Sequence, residues 1–547
     1  MLYLYFWLCQ LISIVSASGY ARFFDNDSQG NDDDLLRDLL VNSDNIASWE
    51  PIFANITAGG LDYYEFSINK NASGQGFAPS YEVLIFMSGN ICQYPLYLPN
   101  DTATMEKNIA ANITKDIQLA MLYSFNESMA SNTSMAMHQL FDNGYVESLA
   151  VSPIDTDYLG MDLGESPIYN TTLKYPNLYV MIQLYNTTTG KPLEVNSRTK
   201  DLVWNYRLGI SESDLIYQWD ERSWLEVLDT DNNSALLMSG NVTSDSVDSK
   251  TNYTVYDPSL YDVYIYTEKE YNYLYEAQLS HSICAIKHGN YLTTSAVENI
   301  TSHDLEETHL RVQKYVAASN NGMSEFFYVT GLNASTTYVS ILVKKVGQSG
   351  NLTDVGGILF DTEEFTTKKD DTCTLIHGLD FCQGITYSVP SSSLAGGNKT
   401  LLAQTYEYIA TGLYNNFTQA LQLIPCDNEL DARYSPLRTC DDCAQSYKNW
   451  LCTVTIPRCT TEESEYYIKR KKEESRNSFI NSYVNPLRDY FEVLPCIDMC
   501  YHIVRDCPSD FGFSCPSGNS NSALLLNSYN YYIEDSDIPT CNMLYNN

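Results

Sequence analysis

The residues of this chain with the right types and spacing for chemistry are a set of cysteines and one short acidic run. Cys440-x-x-Cys443, followed by Cys452 and Cys459, has the composition of a zinc site. A C-x-x-C pair can also exchange electrons with a substrate disulfide. Asp229-Thr230-Asp231-Asn232-Asn233 begins like a calcium loop, with acidic or amide side chains at alternate positions. The run then departs from the pattern: Ser234 stands where the turn glycine belongs, and Gly240 where the closing glutamate belongs. His303 and His309 flank two glutamates without the spacing of a metalloprotease, and the chain has no G-x-S-x-G elbow, Walker loop or G-x-G-x-x-G turn. No catalytic residue, metal ligand or cofactor site is therefore expected.

The rest of the sequence assigns the cysteines another role. Cys9 lies in the apolar first segment, which leaves fourteen. Cys92 and Cys284 stand alone in the long N-terminal part and can pair with each other. The other twelve are Cys373, Cys382, Cys426, Cys440, Cys443, Cys452, Cys459, Cys496, Cys500, Cys507, Cys515 and Cys541. Seventeen N-x-Ser/Thr sequons accompany them. Their acceptors are Asn26, Asn55, Asn71, Asn100, Asn112, Asn126, Asn132, Asn170, Asn186, Asn232, Asn241, Asn252, Asn299, Asn333, Asn351, Asn398 and Asn416. Glycan acceptors with an even cysteine count point to the secretory pathway and to structural disulfides rather than metal or redox chemistry. The pairing among the twelve is open.

Next come the elements that must hold these residues. Met1–Ser18 is an uncharged apolar run ending in small residues and reads as a signal peptide, with an uncleaved anchor as the rival reading. Residues 19–48 are polar and acidic and read as a flexible arm. From Trp49 onward, short runs rich in aromatic and β-branched residues, such as YYEFSI (63–68), YEVLIFM (81–87), NLYVMIQLY (177–185) and YDVYIYTE (261–268), predict strands. Their spacing suggests sandwich-like β domains over 49–210 and 211–370, and the 44 tyrosines suit half-buried strands. Phe326–Val343 looks like a generic strand-turn-strand or, in the sharper reading, the end of a fibronectin-type sandwich, where a Tyr ties a corner. Residues 99–140, with four of the sequons, read as a glycosylated insertion.

Beyond a charged boundary at 363–371 the period changes. Leu402, Tyr406, Ile409, Leu413, Phe417, Leu421 and Ile424 recur as one face of a helix. A second helix starts near Pro495 and carries Cys496, Cys500 and Cys507 on one stripe. Lys469-Arg470-Lys471-Lys472 reads as a solvated loop. Residues 371–547 thus form a cysteine-rich, mainly helical domain. A net charge of −36 disfavours nucleic acid and direct adsorption to anionic lipid. No later apolar run has the length of a membrane helix, and Leu178–Tyr185 and Tyr338–Val343 are only strand length.

Several segments then resemble a known family. FAPSYEVLIFMSGNICQ (77–93), VLDTDNNSALLMSG (227–240), YDPSLYDVYIY (256–266), VTGLNASTTYV (329–339), CDDCAQSYKNWLCTVTIPRC (440–459) and LPCIDMCYHIVRDCPSDFGFSCP (494–516) occur in one order. They are similar to the fungal stretch-activated calcium-channel component of the mating-pheromone-induced-death family. WLCTVTIPRC and PCIDMCYHIVRDCP, followed by FGF, also resemble frizzled-type cysteine-rich domains. Modules of that type occur in extracellular auxiliary subunits of animal sodium-leak channels. The resemblance implies a glycosylated, non-enzymatic regulatory subunit for calcium influx linked to stretch and pheromone. It implies a large voltage-gated-type calcium-channel α subunit as partner, and a place at the outer face of the plasma membrane and in the endoplasmic reticulum. Membrane association would come mainly through that partner. The alternatives are a self-sufficient oligomeric mechanosensitive channel, inserted through segments such as Tyr338–Val343, and a secreted wall-sensing ectodomain.

Overall fold

The computed structural model describes residues 44–68, 83–94, 116–130, 133, 136–152, 175–195, 199, 202–242, 260–296, 310–319, 322–346, 355–424, 434–519, 521–536 and 538–544. The signal-peptide reading and nearly all of the acidic arm lie outside them. The last residues of the arm do not: Asp44–Ile46 (β1) is a strand, running parallel to Leu61–Phe66 (β3). Among the described residues the molecule is sheet-rich, with its disulfides concentrated towards the C-terminus.

The first sheet pair is built from β1, Ile52–Thr57 (β2), β3, Val83–Gln93 (β4), Ile117–Ser124 (β5), Met137–Leu140 (β6), Tyr145–Ser152 (β7), Leu178–Asn186 (β8), Lys191–Pro192 (β9) and Val203–Ser211 (β10). One sheet runs β1-β3-β8-β5-β6 with β9 beside β8, and the other runs β2-β10-β4-β7. The central strand β8 reads as a nearly continuous apolar run because it is covered on both faces. Leu178, Val180, Ile182 and Leu184 face the main core. Met181 and Tyr185 face a second cluster with Tyr63, Leu122 and Met129. For the described residues 116–130 and 136–140 this corrects the reading of 99–140 as an insertion; residues 99–115 lie outside the described residues. β5 is bonded to β8 from Ile117 to Ser124, and Met129, on a short turn after it, is fully buried over the sheet's outer face. The local abundance of sequons concealed a core strand.

The second sheet pair uses Tyr217–Asp220 (β11), Leu225–Thr230 (β12), Ser234–Ser239 (β13), Tyr261–Thr267 (β14), Thr293–Thr294 (β15), Arg311–Ser319 (β16), Gly322–Thr330 (β17), Thr337–Val346 (β18), Gly356–Phe360 (β19) and Glu363–Thr366 (β20). Its sheets run β11-β19-β18-β14-β15, with β20 beside β18, and β12-β13-β17-β16. Tyr338, buried at the start of β18, takes the Asn333 N–H on its hydroxyl at 2.9 Å. A tyrosine thus ties the β17–β18 connection, as its spacing predicts. Two helices follow β14, Glu268–Glu276 (α1) and Ile283–His288 (α2).

The first and second sheet pairs share one apolar cluster, in which Met87 and Ile210 meet Ile216, Ile283 and Ile341. The Cys92–Cys284 disulfide joins β4 to α2 across that junction. Beside it, fully buried Asn90 accepts the Ile283 N–H at 2.9 Å, and Ser282 donates its hydroxyl to the Ile91 carbonyl at 2.7 Å.

The C-terminal part contains Cys373–Leu375 (β21), Ser388–Pro390 (β22), Arg458–Thr460 (β23), Tyr467–Arg470 (β24) and Tyr490–Val493 (β25). Its helices are Lys399–Leu421 (α3), Cys440–Thr455 (α4), Ile497–Asp506 (α5) and Ser522–Ser528 (α6). The α3 stripe holds at Leu402, Tyr406, Phe417 and Leu421, but Ala410 is the buried residue at its centre and Leu413 is exposed. The first half of α3 packs on Ile385, Ile480 and Val484, and the second half on Cys443, Ile503 and Cys507. Leu413 falls where one set of partners gives way to the other. Lys469 and Arg470 are likewise not in a loop. They lie on β24, where Arg470 donates to Glu492 at 2.6 Å and Arg476 reaches the same fully buried carboxylate at 3.2 Å.

Candidate functional site

Sequence reading singled out two groups for chemistry, the acidic run after Val227 and the C-terminal cysteines. The structure brings them to one place. The acidic run closes the β12–β13 hairpin, and its carboxylates face into the C-terminal part. Asp229, on a side chain only 8% exposed, pairs with Lys368 and accepts from Arg458 Nε at 3.2 Å and from the Ser388 N–H at 3.2 Å. Asp231, 1% exposed, accepts from Lys399 Nζ at 2.7 Å and from the Leu375 N–H at 2.9 Å. Its other oxygen accepts the Asn233 N–H at 2.9 Å and the Ser234 hydroxyl at 2.8 Å. Thr230 adds its carbonyl, which takes the Ser388 hydroxyl at 2.7 Å and the Lys368 ammonium. Beside these ions Leu375 packs on Leu228, Leu236, Met238 and Phe326.

The electrostatics follow from this geometry. Burial works to raise the Asp229 carboxyl, but Lys368 and Arg458 outweigh it and hold the group below its ordinary value. Burial likewise works against the Lys399 ammonium, and Asp231 and Tyr328 outweigh it and hold the group above its ordinary value. His377, in contact with Tyr315, is pushed down to about 4 by burial and by Lys399, so it stays neutral at ordinary pH. The carboxylates that began a calcium loop are neutralised by three cations from the chain itself. Among the described residues there is no group of three His, Cys, Asp or Glu side chains able to hold a metal.

The cysteines form a framework around α4 and α5. Cys373 pairs with Cys459, Cys382 with Cys452, Cys443 with Cys507, Cys496 with Cys541, and Cys500 with Cys515. Cys440 is also disulfide-bonded, so neither member of the C-x-x-C is free for zinc or redox work. Cys426 lies outside the described residues. The helix stripe at 496–507 needs correction: Cys496 is the N-cap of α5 and Cys507 its C-cap, so only Cys500 lies within the helix, and Pro495 precedes the cap. The three still splay to three different partners, one of them on α4. Thr439 and Asp442 close a capping box at the start of α4. The FGF run supplies Phe511 and Phe513 to a ring cluster with Phe417 and Tyr447, the last two stacked at 3.6 Å. Between this framework and the second sheet pair runs a groove of about 380 Å³ lined by Glu226, Leu228, Tyr387, Arg458, Tyr532 and Ile533.

Among the sequon acceptors, Asn55, Asn126, Asn333, Asn398 and Asn416 are exposed, and Asn186, Asn232 and Asn241 are half-buried. Asn26, Asn71, Asn100, Asn112, Asn132, Asn170, Asn252, Asn299 and Asn351 lie outside the described residues, as do His303 and His309. Sequence reading missed Lys368, Lys399, Arg458 and Ser388. Lys368 sits in a stretch read as a boundary, and Lys399 sits inside the Asn398 sequon. Their partners lie more than a hundred residues away, so nothing local marks them.

The fold and the site define a sheet-rich, disulfide-clamped protein whose buried charges hold its parts together. The profile of a family described as a stretch-activated Ca2+-permeable channel component matches residues 84–546. Over 513 residues the chain is 49% identical to the stretch-activated cation channel MID1 of Saccharomyces cerevisiae, covering 93% of this chain and 88% of that one. It is 34% identical to the stretch-activated cation channel yam8 of Schizosaccharomyces pombe over 62% of this chain and 64% of the relative. A MID1 channel of Cryptococcus neoformans is 26% identical over 32% of this chain and 34% of its own. The chain belongs to this fungal family of stretch-activated calcium-channel components.

Proposed function

We propose that this chain is a non-enzymatic regulatory subunit, on the extracellular or lumenal side, of a calcium-channel complex that supports stretch- and pheromone-linked calcium influx. The pore belongs to a large partner of the voltage-gated calcium-channel α type. One observation carries this reading. Tyr338–Val343, a stretch considered for insertion, lies within β18, bonded along one edge to β14 and along the other to β19 and β20. Moving it into lipid would break both ladders and leave backbone groups unpaired, at several kcal/mol each. No helix among the described residues is long and apolar enough to cross a membrane.

In the same reading the two sheet pairs are β-sandwiches, and the cysteine framework is a frizzled-like module that docks on the channel's outer loops. The signal-like first segment and the sequons support a course through the secretory pathway, with the endoplasmic reticulum and the outer face of the plasma membrane as the sites of action. No sequon follows Asn416, so α4 and α5 carry no glycan acceptor of their own.

The relatives' names favour a second reading, an oligomeric pore made by this chain alone. Reconstitution separates the two. The purified full-length chain in synthetic vesicles is expected to pass no cations under stretch, whereas vesicles that also hold its co-purified large partner conduct. Conduction by the chain alone would overturn the proposal. Undiminished calcium influx in cells deleted for the chain would favour a secreted wall sensor instead.

A further inference from the structure

Among the described residues two junctions join the packed parts, and they are made differently. The first, between the two sheet pairs, is closed by a disulfide and a continuous apolar core. The second, between the β12–β13 hairpin and the cysteine framework, is closed by Asp229 with Arg458, by Asp231 with Lys399, and by few apolar contacts around Leu375, while Lys368, bonded through its backbone to the hairpin's own side, supports Asp229 from there. The five disulfides named within the framework all stay inside it. Load applied to the sheet region and resisted at the framework passes through both junctions in series. The first cannot part without breaking a covalent bond. The second can part with every covalent bond intact, yet it resists small displacements, because buried ions drawn apart lose attraction before the gap is wide enough for water to solvate them.

We propose that this ionic seam is the load-transmitting joint of the molecule: Asp229 gripping Arg458 and Asp231 gripping Lys399 hold the cysteine framework at a fixed angle to the sheet pairs, so that displacement of the sheets reaches whatever the framework is docked on. The proposal rests on the docking reading above. It assigns the seam to coupling and not to binding, since the seam's charges point inward and are occupied by one another. The acidic run, which fails as a calcium loop, has its role here.

The test uses the full-length chain expressed in place of the native copy. Asp231→Asn, Lys399→Met and the pair Asp229→Asn with Asp231→Asn weaken the seam. Asp262→Asn is the control, because Asp262 is equally buried and pairs with Lys345 at 2.9 Å and Lys314 at 3.5 Å inside the second sheet pair. Non-reducing peptide mapping confirms the disulfides, and variants are compared at matched loss of Tm. Three readouts are taken: recovery of the large membrane protein that co-purifies with the wild type, calcium influx on osmotic stretch, and radius of gyration by solution scattering. The expected result is partner recovery close to wild type, a larger radius and a loss of stretch-evoked influx of about tenfold, within the usual range of coupling between sites, with Asp262→Asn keeping its influx. Wild-type influx in the seam variants would overturn the proposal, as would an equal loss in Asp262→Asn or loss of partner recovery through the seam substitutions. Failure of the wild type itself to recover any large membrane protein would instead sink the docking reading.

Discussion

Asp229 shows how one carboxylate changes meaning with its surroundings. In the sequence it opens a calcium-like run, and in the folded chain it is shared between Lys368 and Arg458. Its folded pKa is depressed, so its contribution to stability is present above the ordinary carboxylate value of 3.8 and is lost as pH falls through the folded value. Asp229→Asn is expected to lower stability at neutral pH and to flatten its fall below about pH 4, where the wild type progressively loses that ion's contribution. Denaturant melts across the acid range check this, and parallel pH curves for the two proteins would contradict it. Glu492, fully buried between Arg470 and Arg476, makes a second case. Glu492→Gln leaves two buried cations without a counter-charge and is expected to cost about 3–5 kcal/mol in urea unfolding. Neither ion pairing was legible beforehand. Lys469-Arg470-Lys471-Lys472 has the composition of a solvated loop, and only the pairing of β24 with β25 sets Arg470 against a buried glutamate.

At the scale of elements, what was legible is what depends on near neighbours. The period of three and four along 402–424 is local, and α3 forms there. The choice of Ala410 over Ile409 and the exposure of Leu413 depend on which elements lie opposite, and no local rule supplies that. The capping box of α4 is local too, with Thr439 accepting from the Asp442 N–H at 3.2 Å while Asp442 accepts from the Thr439 N–H at 2.7 Å. Thr439→Ala is expected to destabilise the cysteine-rich part by about 1 kcal/mol, read as a lowered unfolding midpoint, while Thr439→Ser holds close to wild type. β5 is the opposite case. Its alternation is ordinary, yet the sequons around it suggested an excursion from the fold. Only its ladder with β8 and the burial of Met129 above it show that the strand completes the core.

At the scale of the whole molecule the long-range links decide the architecture. Cys92–Cys284 closes a separation of 192 residues. On the chain-entropy account a loop of that length contributes up to about 5 kcal/mol. The Cys92→Ser, Cys284→Ser double variant is expected to lose a large part of that while the two sheet pairs stay together on their shared core. Denaturant titration with solution scattering tests both halves of the statement, and separation of the pairs without denaturant would contradict it. The sequence alone determined the strand-rich composition, the change to helices and cysteines after residue 370, the capacity of Cys92 and Cys284 to pair, and the family, because each of these lies in residue types, short spacings or uninterrupted motifs. Only the tertiary structure decided which cysteines meet, which strand lies at the centre of each sheet, and which lysines and arginine meet the two aspartates. Those choices join residues tens to hundreds of positions apart, and their energies arise only once water has been excluded between them.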